Sequence, residues 1–254
     1  MRTVAVVLAA GSGVRFGAAL PKQLLPLAGR ALLEHSVAAF EQAPGVDATL
    51  VVMAPGHAGH ARELLALGGY RKVTGIIEGG KTRPESTRRA IAALGPAEGN
   101  VLFHDAARPL LDQATIAGCV RALETYQAVG VAVPTSDTIV VVEDGLMTGM
   151  PHRDTLRRCQ TPQGFRLSVI RKAHELAVAD PAFADLAATD DCGVVMRYLP
   201  DVPVAVVPGT ERNIKITYPV DLSIAQALLS DNELGDDAPS DNELSHNELT
   251  DDAR

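Results

Sequence analysis

Short Val-rich runs alternate with longer segments of helical spacing along most of the chain, and this alternation limits the fold more than any single motif does. The strand-like runs are TVAVVLA (3–9), ATLVVMA (48–54), KVTGIIEG (72–79), NVLFHDA (100–106), AVGVAVP (128–134) and VPVAVVPG (202–209). Between them, ALLEHSVAAFEQA (31–43), HARELLALG (60–68), ESTRRAIAAL (85–94) and QATIAGCVRALETY (113–126) repeat apolar residues at helical intervals. Strands that are apolar on both faces and separated by single helices imply an α/β fold, a mainly parallel sheet flanked by helices on both sides. Ligands of such sheets sit beyond the carboxyl ends of the strands. Residues 137–160 break the rhythm: two β-rich pieces around Glu143-Asp144-Gly145 predict a protruding hairpin arm. TYPVDLSIAQALL (217–229) predicts a closing helix with Pro219 near its start.

Composition narrows the partners. Residues 231–254 hold nine Asp/Glu against one Arg, which accounts for the whole formal charge of −8. The body over 1–230 is therefore close to neutral and lacks the broad basic surface of a nucleic-acid binder. The acidic segment repeats DNEL twice and HNEL once without an aromatic residue, and a disordered tail is expected there. The apolar runs fall short of the ~20 residues a membrane helix needs, so no membrane partner is expected. Three widely spaced cysteines (Cys119, Cys159, Cys192) form no C-x-x-C pair. Neither a disulfide framework nor a cysteine zinc site is indicated, and a reducing cytoplasm is the expected setting.

AVVLAAGSGVRFG (5–17) places glycines at 11, 13 and 17, directly after the first strand. A dinucleotide fingerprint would need its third glycine at position 16, where Phe16 stands, and this stretch supplies no Walker loop. Glycines let backbone N–H groups close on an anion, and Arg15 and Lys22 would add positive charge where a phosphoryl group gains negative charge. A plain Gly turn beside two solvated cations accounts for these residues equally well.

LAAGSGVRFG with PKQ, EGGKTRPES, HDAARP, Asp137-Thr138, QTPQGF, TDD and NIKIT follow one another in the order seen in a known family. Together they resemble the CTP-dependent cytidylyltransferases that act on polyol phosphates, including the 2-C-methyl-D-erythritol 4-phosphate and ribitol 5-phosphate enzymes. The resemblance runs from residue 3 to about 229. It implies a Rossmann-like nucleotide-binding domain whose arm exchanges contacts in a homodimer, with CTP and a polyol phosphate as substrates and Mg²⁺ as cofactor. It also implies residue roles. Ala9, Ala10, Gly11 and Gly13 would hold the nucleotide, and Arg15 and Lys22 would stabilise charge at the α-phosphate. Gly79, Gly80 and Ser86 would recognise the cytosine with Arg83 close by. Asp105 would serve ribose, metal and acceptor, and Arg108 would hold its loop. Thr138, Arg153, Thr161, Thr189 and Lys215 would bind the acceptor, the first two from the partner subunit's arm.

For the acceptor, LAAG and HDAARP suit the methylerythritol members. PHRDTLRRCQTPQGF, ATDDCGVV and the RYLPDVPV-to-RNIKIT passage look more like the ribitol members. D-ribitol 5-phosphate is the acceptor expected on that balance, with methylerythritol phosphate as the alternative. A non-catalytic nucleotide-binding module is the reading from another class.

Overall fold

The computed structural model describes residues 1–11, 21–184 and 190–235. In chain order it forms β1 (Thr3–Ala9), a small hairpin of β2 (Pro26–Leu27) and β3 (Arg30–Ala31), α1 (Leu32–Gln42), β4 (Ala48–Met53), α2 (Ala58–Leu67) and β5 (Val73–Glu78). α3 (Arg83–Ala93), β6 (Asn100–Asp105), α4 (Gln113–Thr125) and β7 (Ala128–Pro134) follow, then the arm strands β8 (Val141–Glu143) and β9 (Leu146–Gly149). The described chain closes with β10 (Arg157–Arg166), α5 (Leu167–Ala179), α6 (Asp191–Tyr198), β11 (Val204–Pro208) and α7 (Pro219–Gly235).

The main sheet runs β11-β7-β10-β6-β1-β4-β5. Its pairs are parallel except the two made by β10. The period-2 geometry of a strand divides the core between the faces. Ala5, Val7 and Ala9 of β1 pack with Leu33, Val37 and Phe40 of α1 and Ile116 and Leu123 of α4. Val6 and Leu8 pack with Ile91 of α3, Ile170 of α5 and Val195 of α6. Burying such a side chain is worth roughly 1.5–3 kcal/mol, so neither face of the sheet could stay bare.

Besides the two-residue strands β2 and β3, the elements β10, α5 and α6 lie outside the periodic reading. β10 reads RRCQTPQGFR, and its Gln160, Thr161 and Gln163 are buried polar residues that hide a central strand from a hydrophobicity pattern. They are tolerated because they are bonded: Gln160 Nε2 donates to Thr210 O (2.8 Å), and Gln163 Oε1 accepts the Asp191 N–H (3.0 Å). The arm is correspondingly shorter than expected. Residues 157–160 belong to β10, and the hairpin itself turns at Asp144-Gly145, both at positive φ (51° and 80°). The closing helix α7 runs past 229 to Gly235, so residues 231–235 of the expected tail are helical.

The connections position the site. From β1 the chain passes through α1 to β4 on one side, yet β6 pairs with β1 on the other. The carboxyl ends of β1 and β6 therefore flank the switch point, where an open α/β sheet leaves a crevice.

Candidate active site

At the end of β6, Asp105 heads a ladder of alternating charges. Lys215 Nζ donates to its Oδ2 (2.7 Å) and Arg83 Nε to its Oδ1 (3.4 Å). On the far side of the guanidinium, Arg83 Nη1 donates to Asp191 Oδ2 (2.7 Å), and the other Asp191 oxygen lies 3.2 Å from His174 Nε2. Burial by itself would protonate Asp105, but Arg83 and Lys215 outweigh it and hold the carboxyl well below the usual range. Burial likewise opposes the Arg83 charge, and Asp191 and Asp105 outweigh it, so the guanidinium stays ionised. Arg83 Nη2 is a buried donor without a partner among the described residues.

α3 starts at this ladder. Thr82 caps it by accepting the Glu85 N–H (3.2 Å), and Pro84 stands in the first turn, where a missing N–H is tolerated. Ser86 donates its hydroxyl to Thr82 O (3.0 Å) and accepts from Gly80 N (3.0 Å), so it shapes the turn over 79–82. A Cβ on Gly79 would lie 2.3 Å from the Ala10 Cβ, so only glycine lets this turn lie against the end of β1. GIIEGGKT (75–82) has the literal spacing of a Walker loop, with Gly75 as its upstream glycine. It is not one structurally. Gly75 is paired with Leu50 inside the sheet, and the Lys81 N–H goes to Glu85 Oε2 (2.8 Å).

A second set of bonds ties three loops around the carboxylate. Arg108 Nη1 donates to Asn213 O (2.7 Å) and Nη2 to Cys159 O (3.2 Å). Asn213 Nδ2 returns to Thr161 O (2.8 Å), and Ile216 N to Ala107 O (2.8 Å). Lys22 Nζ donates to Ile216 O (2.7 Å), which sets it one residue from Lys215. Arg108 thus clamps the framework, and burial lowers its pKa more than Asp105 raises it.

The structure brings Ala9, Ala10, Gly11, Lys22, Gly79, Gly80, Arg83, Ser86, Asp105, Arg108, Thr161 and Lys215 to these loops and strand ends. Gly13, Arg15 and Thr189 lie outside the described residues. Thr138 and Arg153 do not join the ladder: both are exposed at the base of the arm, where Arg153 Nη1 reaches Ser136 O (3.4 Å). Asp191, His174, His104 and Asn213 were missed from the sequence. The TDD motif does contain Asp191, but spacing alone does not tell which of its carboxylates faces Arg83; Asp190 instead caps α6 by accepting from Gly193 N (2.7 Å).

Among the described residues, no group of three His, Cys, Asp or Glu side chains could hold a metal ion. Asp105 is a single carboxylate already flanked by two cations. It fits Mg²⁺ only as an ion that brings most of its oxygens with it, as a triphosphate complex does.

A mainly parallel sheet whose switch-point crevice gathers Asp105, Arg83, Lys22 and Lys215 has the build of an α/β protein that handles an anionic, nucleotide-like ligand. The family model described as "IspD: 2-C-methyl-D-erythritol 4-phosphate cytidylyltransferase" matches residues 3–231, and the chain belongs to this family of CTP-dependent polyol-phosphate cytidylyltransferases. It is 52% identical over 235 residues to the 2-C-methyl-D-erythritol 4-phosphate cytidylyltransferase of Thermobifida fusca, covering 90% of this chain and 93% of that protein. A bifunctional ribulose 5-phosphate reductase/CDP-ribitol pyrophosphorylase of Haemophilus influenzae is 37% identical over 231 residues, 89% of this chain and 48% of that one. Among solved structures, the 4-diphosphocytidyl-2C-methyl-D-erythritol synthase of Anaerococcus prevotii superposes with a TM-score of 0.78 at 28% identity, covering 90% of this chain and 96% of that one.

Proposed function

We propose that the chain transfers the cytidylyl group of CTP to 2-C-methyl-D-erythritol 4-phosphate and releases pyrophosphate, a step of isoprenoid biosynthesis. The observation that carries this reading is the 52% identity to a relative of that name, against 37% to the CDP-ribitol pyrophosphorylase. The expected preference for ribitol 5-phosphate is given up on the same comparison. It rested partly on PHRDTLRRCQTPQGF and RNIKIT, which build β10 and the loop before α7. There Gln160, Gln163 and Asn213 are taken up by hydrogen bonds within the fold.

The acceptor phosphate is an anion at neutral pH, so one of its oxygens attacks the α-phosphorus without a general base. A P–O bond forms there as the α–β bridging bond breaks, and pyrophosphate leaves with that electron pair. The protein's task is alignment and charge compensation. Lys215, held by Asp105, and Lys22, held at Ile216 O, place two ammonium groups at neighbouring residues of one segment. Arg15 would add a third cation. Asp105 would hold Mg²⁺, which when bound would supply further neutralisation of phosphate charge. Gly79, Gly80, Arg83 and Ser86 would frame the base, and Thr189 would orient the acceptor phosphate.

A homodimer belongs to the proposal. Ile139, Val141, Val142, Leu146, Met147 and Met150 are exposed along the arm, and pairing arms would cover them while carrying the partner's Thr138 and the partner's Arg153 to the acceptor. Pyrophosphate release tests the assignment, with CTP set beside ATP, UTP and GTP and each nucleotide offered both acceptors. Release with CTP and methylerythritol phosphate alone is expected. Faster turnover of ribitol 5-phosphate would reverse the acceptor, and no release with any pair would favour a binding module.

A further inference from the structure

One buried group beside the site has no part in the mechanism above: the imidazole of His104, the residue before Asp105. It is fully buried, with Phe40 edge-on at 5.5 Å between ring centroids. Its two nitrogens face different partners. Nε2 lies 3.0 Å from the carbonyl oxygen of Arg108, and Nδ1 lies 2.9 Å from the hydroxyl of Thr161. A carbonyl can only accept, so Nε2 carries a hydrogen. The ring is buried against Phe40 with a carbonyl and a hydroxyl as its hydrogen-bond partners and no carboxylate bonded to it to balance a charge, so it is the neutral tautomer and Nδ1 is bare.

The rest follows from counting protons. With Nδ1 bare, the Thr161 hydroxyl is the donor of that pair. The same oxygen accepts the backbone N–H of Asp105 at 3.1 Å. Thr161 is itself buried, and its hydroxyl proton is committed. It retains one lone pair and no hydrogen with which to bind a phosphate oxygen. The Nε2–H bond closes the turn from the other side, where Arg108 N donates to Asp105 O (2.9 Å). Asp105 is thus held on its N–H side by a hydroxyl whose donor role His104 assigns, and on its carbonyl side by a turn whose last carbonyl, that of Arg108, accepts from His104.

We propose that His104 is a positioning residue of the transfer reaction: its Nδ1 accepts the hydrogen bond of the Thr161 hydroxyl, turns the Thr161 oxygen toward the Asp105 N–H, and so fixes the carboxylate that holds Lys215. Thr161, on this account, serves the peptide of Asp105 instead of the acceptor phosphate. The inference rests on the cytidylyltransferase reading for its kinetic consequences, though not for the direction of the hydrogen bonds.

Steady-state kinetics of Thr161→Val, Thr161→Ser, His104→Gln and the Thr161→Val/His104→Gln pair test it. Valine keeps the shape without the hydroxyl, and glutamine keeps a donor toward Arg108 O while removing the Nδ1 acceptor. Thr161→Val and His104→Gln should each lower kcat by ~10- to 100-fold, the range expected for a small displacement near the chemistry. Acceptor KM should stay within about twofold, Thr161→Ser should restore kcat, and the double variant should be no slower than either single one. Wild-type kcat in Thr161→Val, or a raised acceptor KM at unchanged kcat, would overturn the proposal. If His104→Gln does not fold, the Val/Ser pair at Thr161 decides. Long-range nitrogen-15 spectra of the wild-type protein give a readout independent of turnover. The Nε2–H tautomer with bare Nδ1 is expected, and an Nδ1–H tautomer or an imidazolium at neutral pH overturns the proposal whichever acceptor the enzyme uses.

Discussion

The crevice at the end of β6 and the β8–β9 arm are built from opposite kinds of contact. Lys215 meets Asp105 across 110 residues, Arg83 meets Asp191 across 108, and the Asp105 N–H meets Thr161 across 56. In the arm, Thr148 reaches Val141 O seven residues away and Thr155 reaches His152 O three residues away. β8 and β9 are exposed throughout, whereas Asp191, His174, His104 and Thr161 are buried. The crevice exists only once the whole sheet has formed, and displacing one member disturbs its neighbours. A lone two-stranded hairpin is marginal in water, so the arm depends on whatever covers it.

Four experiments press on this contrast, in order of falling effect. Lys215→Ala should lower kcat by about 10²–10³-fold, because it removes a cation proposed to meet developing phosphate charge, and should lower the thermal midpoint by less than Asp191→Asn does, because Arg83 still pairs the buried Asp105 carboxylate. Unchanged turnover would mean that the chemistry lies elsewhere. Asp191→Asn should cost about 3 kcal/mol in urea unfolding, since it leaves the Arg83 charge poorly paired in a buried setting, and should slow turnover as well. A loss below about 0.5 kcal/mol, the level of an ordinary surface substitution, would show that the ladder is not a coupled unit.

The third test uses pH. The folded His104 pKa is about 4 against 6.5 for the free side chain. Between these values the unfolded chain binds a proton that the folded chain refuses. Stability contributed by neutral His104 is therefore complete above pH 6.5 and lost as pH falls toward 4, by about 3 kcal/mol in all. His104→Asn should flatten that part of the urea-stability profile. An unchanged slope would place the titrating group elsewhere. The smallest effect belongs to the arm. Leu146→Ser with Met147→Ser should alter the unfolding free energy of the isolated subunit by less than about 0.5 kcal/mol, because both side chains are already in water. In sedimentation the same pair should weaken association, and a large loss of subunit stability would show that the arm packs on its own domain.

How much could be read beforehand follows the same division. Strands β1, β4, β5, β6, β7 and β11 and helices α1 to α4 were legible because their periodicity is local and their buried faces are apolar. β10 was not, since Gln160, Thr161 and Gln163 look like surface residues until their partners Thr210, His104 and Asp191 are in place. Asp105, Lys22 and Lys215 were found through motifs; His104 and Asp191 stand in HDAARP and TDD but were given no role there, and His174 lies in none of the motifs. Likeness in the latter half also pointed to ribitol 5-phosphate, in stretches whose Gln160, Gln163 and Asn213 make hydrogen bonds within the fold.

By itself, the sequence determined the α/β class, the strand-end placement of the glycine loop and Asp105, and the family. These depend on hydrophobic period and on motifs short enough to be written in consecutive residues. Only the tertiary structure decided which charges pair, which buried hydroxyls find hydrogen-bond partners and which arm residues remain bare. A hydrogen bond or ion pair forms between whichever groups the fold brings within about 3 Å, and no spacing along the chain encodes that distance for residues about a hundred positions apart.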